Sequence, residues 1–208
     1  MERSMKYESD NTTLDFYNKN AFKYSEETAL LKFDDRQNML LKYISPGAHI
    51  LDLGCGAGRD SKSFINKGYK VTAIDGSEEL CKIASNNIGQ KVICKRFEDL
   101  DMVEEFDAIW ACASIIHAHS NALPHIISNI SRALKPGGFF YVTFKYGDFK
   151  GEINGRYFTY LTESTFSNLL KPFTELQIVE TDITHDVRSN KENEKWLNVI
   201  IRKEDKSC

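Results

Sequence analysis

The stretch Ile50-Leu51-Asp52-Leu53-Gly54-Cys55-Gly56-Ala57-Gly58-Arg59-Asp60 constrains the fold more than any other part of the chain. It begins as an apolar run, which suits a buried parallel strand. Glycines then occupy alternate positions, where the backbone must turn tightly and let a ligand touch it directly. The residues after Gly58 read as a helix, so the loop joins strand to helix at the carboxyl end of a sheet. Open α/β sheets bind their ligands there. The dinucleotide fingerprint is G-x-G-x-x-G. Here the third glycine comes one residue early, and a nucleotide without a pyrophosphate fits better.

Elsewhere the pattern alternates between strand and helix. Residues 1–13 are polar and expected to be loose. The spacing predicts helix over Leu14–Ile44 with a break near Ser25, a stop at Pro46-Gly47, and a first strand over His49–Leu53. A helix over Asp60–Lys67 precedes a second buried strand, Tyr69–Asp75. Ser77 is a suitable N-cap, with Glu78 and Glu79 in the first turn of a helix running to about Asn86. Strands are expected over Lys91–Arg96 and Phe106–Ala111. A helix follows over Pro124–Leu134, then a Lys135-Pro-Gly-Gly138 turn and a strand over Phe139–Phe144. Thr162 caps a helix ending near Lys171-Pro172, and Leu176–Thr184 and Trp196–Arg202 form a closing hairpin. Such alternation implies a doubly wound, mostly parallel sheet in which the terminal hairpin makes one strand antiparallel.

The string Asp52-Leu-Gly-Cys-Gly-Ala-Gly58 resembles the first motif of class I S-adenosylmethionine-dependent methyltransferases. The order of motifs after about residue 15 is similar to that family, in particular to the small bacterial type related to tellurite-resistance methyltransferases. The resemblance implies a Rossmann-like sheet of seven strands with the last inserted antiparallel. It also implies S-adenosyl-L-methionine as cofactor and one domain over residues 1–208, with 1–44 as an N-terminal helical lid.

That cofactor offers groups that can be sought in turn. Asp75, ending the second strand before Gly76, is the expected ribose acid. Gly54, Gly56 and Gly58 should pass beneath the methionine portion, with Asp52 near its amino group or anchoring the loop's own amides. Related chains place an acid and a small residue after the third strand. Arg96-Phe97-Glu98 stands there instead, so adenine is assigned to the backbone of Phe97 and to Glu98. Tyr17 and Tyr24, seven residues apart, share a helical face, and with Arg59 they are candidates for the methionine carboxylate. Each tyrosine reads equally as an amphipathic packing residue. Ala111 and Cys112, in Trp110-Ala-Cys-Ala-Ser-Ile-Ile-His117, match the motif that passes the sulfonium. His117 is the residue there suited to move a proton near neutral pH. The spacing of His117, His119 and His125 is not a metal-ligand pattern, and no metal is expected.

The acceptor pocket is expected among the N-terminal helix, the loop after the fourth strand, and Lys145–Phe158. In that last segment Lys145, Tyr146, Arg156 and Tyr157 are candidates for an anionic or planar acceptor; as a plain alternative the segment is a solvated connector. The hairpin near His185–Arg188 is a further segment expected to reach the site. A net charge of −3 without charge blocks disfavours nucleic acid, so a small-molecule acceptor is expected. Methylation of tRNA or protein, or a non-catalytic cofactor-binding subunit, remain the alternatives. The chain shows no apolar run of membrane-spanning length and no signal-peptide core. Its five cysteines, Cys55, Cys81, Cys94, Cys112 and Cys208, form no C-x-x-C pair, and reduced thiols in the cytoplasm are expected.

Overall fold

The computed structural model describes residues 11–188, 191 and 193–205, so the expectation for residues 1–10 and the thiol of Cys208 lie outside it. In chain order the elements are α1 (Asn11–Ala29), α2 (Asp34–Leu41), β1 (His49–Leu53), α3 (Arg59–Asn66), β2 (Lys70–Asp75), α4 (Glu78–Ile88) and β3 (Ile93–Cys94). They continue with β4 (Phe106–Ala111), α5 (Leu123–Ala133), β5 (Leu134–Lys145), β6 (Lys150–Ile153), β7 (Arg156–Thr159), α6 (Glu163–Leu170), β8 (Leu176–His185) and β9 (Lys195–Lys203).

Seven strands form one sheet in the order β3-β2-β1-β4-β5-β9-β8. β1 pairs in parallel with β2 and β4, and β4 with β5; β9 runs antiparallel between β5 and β8. This is the expected Rossmann-like sheet with its last strand inserted antiparallel. The order reverses between β1 and β4, which opens a crevice at their carboxyl ends.

Alternation along the strands divides the core. Leu51, Leu53, Ile109, Phe140, Val142 and Val199 face α5 and α6. Ile50, Ala108, Trp110, Tyr141 and Ile200 face Leu40 of α2 and Phe64 of α3. Trp110 and Tyr141, opposite one another in the β4–β5 register, stack with centroids 4.0 Å apart. Helix ends follow local chemistry. The Ser77 hydroxyl accepts from Leu80 N–H at 3.2 Å, and α4 ends at Gly89 in the left-handed region. Thr162 and Thr165 close a capping box on α6.

Five expectations shift. Asn11–Thr13 are already helical, and the N-terminal helical region breaks at Leu30–Phe33 rather than near Ser25. The third strand shrinks to Ile93–Cys94, which pair with Ile74 and Asp75 at the sheet edge. Lys135–Gly138 is a bulge inside β5: the pairing steps from Phe106–Leu134 to Ala108–Phe139, with Gly137 at φ +75°. Lys145–Phe158 is no open connector but includes the hairpin β6–β7, turning at Asn154 (φ +50°) and Gly155 (φ +76°). Asn-Gly is the favoured pair for a two-residue hairpin turn, so that signal stood in the sequence.

Among the described residues no helix is long and apolar enough to cross a membrane. Cys55, Cys81, Cys94 and Cys112 are free thiols.

Candidate active site

The carboxyl ends of β1, β2 and β4 converge on the glycine loop. Gly54 N–H and Cys55 N–H both donate to the Ile74 carbonyl, at 2.8 and 3.0 Å, tying the loop to β2. One Asp75 carboxylate oxygen accepts from Gly56 N–H and the other from Ser77 N–H, each at 2.8 Å. A carboxylate has about four lone-pair sites, so two remain for a ligand. Burial raises Asp75 to about 6, against the pull of the Ser77, Gly56 and Gly76 amides.

A cleft holding about 860 Å³ of empty space opens above this loop. Its floor is Gly54, Gly56, Asp75 and Gly76. One end is Arg96, Phe97 and Glu98, and its far side is Ala113, Ser114 and His117. Helix α1 roofs it with Thr13, Leu14, Tyr17 and Tyr24. The roof sits close because the floor lacks side chains. A Cβ on Gly76 would lie 2.8 Å from Leu14 Cδ2, and one on Gly56 3.2 Å from the Tyr24 ring. The helix is clasped from both sides: Asn18 Oδ1 accepts from the Ser77 hydroxyl at 2.7 Å, and Thr13 Oγ1 accepts from Tyr157 N–H at 2.9 Å.

His117 stands at the cleft's inner end. Its Nδ1 is 2.7 Å from the Tyr157 carbonyl, which can only accept, so Nδ1 carries the proton. Nε2 is then an acceptor, 2.9 Å from the Tyr17 hydroxyl. Burial lowers His117 to about 4, with Arg156 and Lys145 adding to the shift against the Tyr157 bond, and burial raises the Tyr17 phenol despite Arg156. Both are neutral near pH 7.

Beyond His117 lies a second cleft of about 750 Å³. Tyr17, Tyr24, Ala113 and His117 belong to both clefts and form the wall between them. The second is walled by Phe33, Cys112, Phe158 and Trp196 and by basic side chains, among them Arg36, Arg59, Lys145, Arg156 and Arg188.

The expected residues thus divide. Tyr17, Tyr24, Gly54, Gly56, Asp75, Gly76, Phe97, Glu98 and His117 line the first cleft. Arg59, Cys112, Lys145 and Arg156 line the second. The remaining five line neither. Asp52 is buried and accepts from the Ser61 hydroxyl at 2.6 Å, anchoring α3. Gly58 faces α4, where a Cβ would meet Ile88 Cγ2 at 2.9 Å. Ala111 is fully buried in the core. Tyr146 is engaged by Glu163, and Tyr157 stacks on His119 at 3.8 Å while its backbone serves His117 and Thr13. Arg59 is held by Asp60 at 2.6 Å and lies over the Phe33 ring. Cys112, raised to about 12 by burial, remains a thiol.

Sequence reasoning missed Ser114. Its hydroxyl is buried, lines the first cleft and has no hydrogen-bond partner among the described residues. It also missed Phe33 and Arg36, which arrive through the break between α1 and α2, and Trp196, which arrives on β9. Asp186 and Arg188, from the segment expected to reach the site, do line the second cleft.

A glycine loop at the switch point of a parallel sheet, with a buried acid ending the next strand, defines a nucleotide-binding α/β protein. Residues 50–138 match the family described as "Methyltransferase domain". The chain is 31% identical over 142 residues to an uncharacterized methyltransferase of Synechocystis, covering 67% of this chain and 64% of that protein. It is 34% identical over 109 residues to a ubiquinone biosynthesis O-methyltransferase of Coxiella burnetii, covering 47% and 46%. The chain therefore spans less than two thirds of the length of either relative. In fold it is similar to the 1,6-didemethyltoxoflavin-N1-methyltransferase of Burkholderia thailandensis, whose structure holds 1,6-didemethyltoxoflavin and S-adenosylhomocysteine. The TM-score is 0.76 at 21% identity, covering 99% of this chain and 93% of that one. Residues 50–138 match the methyltransferase-domain family, and the whole sheet shares the fold of that S-adenosylhomocysteine-bound methyltransferase.

Proposed function

We propose that the chain transfers a methyl group from S-adenosylmethionine in the first cleft to a small-molecule acceptor in the second. The observation that carries this is the shared wall: two clefts meet at Tyr17, Tyr24, Ala113 and His117. The first cleft fits the cofactor's groups. Asp75 has two lone-pair sites left for the ribose hydroxyls. Leu14, Phe97 and Ala122 offer apolar surface for a base. The Glu98 carbonyl is already taken by His125 at 3.1 Å and Asn129 at 2.9 Å, leaving Phe97's backbone and the Glu98 carboxylate for adenine. The unpartnered Ser114 hydroxyl is a polar contact in need of a ligand.

When bound, the cofactor supplies an electrophilic methyl on a sulfonium. The chain's part is to position and to exclude water. Helix α1 closes the roof, and Tyr17 and Tyr24 narrow the passage between the clefts. His117 is the proton-accepting residue: Tyr17 passes its hydroxyl proton to Nε2 as it takes one from the acceptor, and because burial opposes the imidazolium this relay serves an acceptor whose own proton is acidic. A neutral imidazole with Nδ1 fixed on a carbonyl presents the needed lone pair.

The α1 roof and compact sheet also favour kinship with the small bacterial methyltransferases related to tellurite resistance. The free thiols favour a reducing, cytoplasmic setting. Calorimetry on the full chain tests the cofactor reading. S-adenosylmethionine and S-adenosylhomocysteine should bind and NAD should not; tight binding of NAD alone overturns it.

A further inference from the structure

Resting on that reading, we infer that the acceptor cleft selects an oxyanion carried on a planar body. Six cations line it: Arg36, Arg59, Lys145, Arg156, Arg188 and Lys191. The ion pairs of the described residues supply only three carboxylates against them. Asp60 pairs with Arg59, Asp186 with Arg188, and Glu194 is divided between Lys145 and Lys191. Among the described residues the cleft therefore carries an excess of three positive charges, in a chain whose net charge is −3.

Two of the three are arginines, and the third is shared by Lys145 and Lys191, which have Glu194 in common. Among the described residues neither Arg36 nor Arg156 has a carboxylate partner. Arg36 is buried and donates to the Thr184 hydroxyl at 3.1 Å and the His185 carbonyl at 3.2 Å, both neutral. Arg156 lies over the rings of Phe16 (4.6 Å) and Phe158 (5.3 Å), and its Nε–H is buried with no acceptor. A guanidinium without a counter-ion and with a spare buried donor is incomplete, and an oxyanion completes it by paired N–H···O bonds. Phe33, Phe158 and Trp196 complement a flat apolar body. His117 adds no charge of its own: burial keeps the imidazole neutral, and Arg156 and Lys145 add to that effect.

The ligand chemistry is an oxyanion, from either a carboxylate or a phosphate. The test titrates benzoate, phenyl phosphate and the neutral benzyl alcohol into the full chain, with and without S-adenosylhomocysteine. Benzoate or phenyl phosphate should bind about tenfold or more tighter than benzyl alcohol, with affinity falling as salt rises. The stronger of the two anions identifies the group. Arg156→Gln should shrink the anion-to-alcohol ratio toward one, and the ratio needs no activity to be read. Should that variant fail to fold, the salt dependence of the wild-type chain decides alone. Equal binding of benzyl alcohol, or an anion preference insensitive to salt, overturns the inference. Anion selectivity without any binding of S-adenosylhomocysteine would instead overturn the methyl-transfer reading and leave the anion site standing.

Discussion

The Tyr17 hydroxyl lies 2.9 Å from His117 Nε2, across a hundred residues of sequence. This contact joins a helix that supplies little of the core to the loop after β4. Only Thr13 and Ala21 of α1 are buried, while Phe22 of the same helix is 71% exposed. The roof is thus attached by a few polar contacts, by a small apolar cluster of Ala21 with Ala57 and Leu80, and by ring packing, Tyr17 against Tyr24 at 5.2 Å.

Tyr17→Phe keeps that ring packing and removes the donated hydrogen bond. The cost should be about 1 kcal/mol, borne by α1 rather than by the sheet. Methyl transfer should fall with cofactor affinity nearly retained, because the lost hydroxyl serves His117. Equal activity of Tyr17→Phe and wild type would remove the tyrosine from proton transfer.

Helix α1 should behave as a lid. Its burial is slight and its roof residues face the cleft, so ligand supplies part of its contact surface. Residues 14–28 should exchange amide hydrogens quickly in the free chain and slow when S-adenosylhomocysteine binds. Equal protection in both states makes α1 ordinary scaffold.

Legibility in the sequence tracked how local the physics was. β1 and β4 lie where their apolar runs end, and Ser77 caps α4 as its side chain requires. The place of Asp75 in the first cleft was legible because it depends on strand end and loop spacing. The second cleft was far less so. Arg36, Arg156, Arg188 and Trp196 are far apart in sequence and meet only through α2, the β6–β7 hairpin and the closing strands. No periodicity encodes such a meeting. The different surroundings of Gly58 were hidden for another reason: alternate glycines look alike in sequence, while a Cβ on the third would meet Ile88.

Cofactor affinity should depend on pH through Asp75. The ionised carboxylate accepts the ribose hydroxyls, and burial puts its value at about 6. Below that, protons compete, and affinity should fall by about tenfold per pH unit. Asp75→Ala should lose at least about tenfold at neutral pH. It also frees the Gly56 and Ser77 amides, so melting temperature should drop as well. An affinity flat from pH 5 to 7, on the about tenfold-per-unit expectation, places the ribose elsewhere.

His117 predicts a stability slope of defined sign. In the fold it stays neutral down to about 4 because burial opposes its charge, whereas an ordinary imidazole charges near 6.5. The unfolded chain therefore binds its proton first as pH falls. Stability is fully present above about 6.5 and lost progressively toward 4, by at most about 3 kcal/mol. Asp75 acts oppositely: its raised value makes ionisation costly to the fold as pH rises from 3.8 to about 6. Comparing wild type with His117→Gln separates the two, since only the histidine's slope is removed. Parallel melting curves from pH 4 to about 6.5 would show that His117 charges freely in the fold.

The glycine loop supplies the sharpest separation of cleft from scaffold. Gly54 and Gly58 have nearly the same backbone, φ +81° and +84°, so alanine at either carries a left-handed penalty of about 1–2 kcal/mol. Their surroundings differ. A Cβ on Gly54 would lie 2.3 Å from Ser114 Cβ and 3.2 Å from the Phe97 ring, both walls of the first cleft. A Cβ on Gly58 would meet Ile88 and Ala84 of α4, away from that cleft. Both variants should melt earlier. Gly54→Ala should also weaken S-adenosylhomocysteine by about tenfold or more, ~1.4 kcal/mol, because Ser114 must move. Gly58→Ala should bind with little change once folded. Calorimetry at a temperature where both variants are native makes the comparison. Equal losses of affinity would mean that the loop acts as one rigid unit and that Gly58 serves the ligand as directly as Gly54.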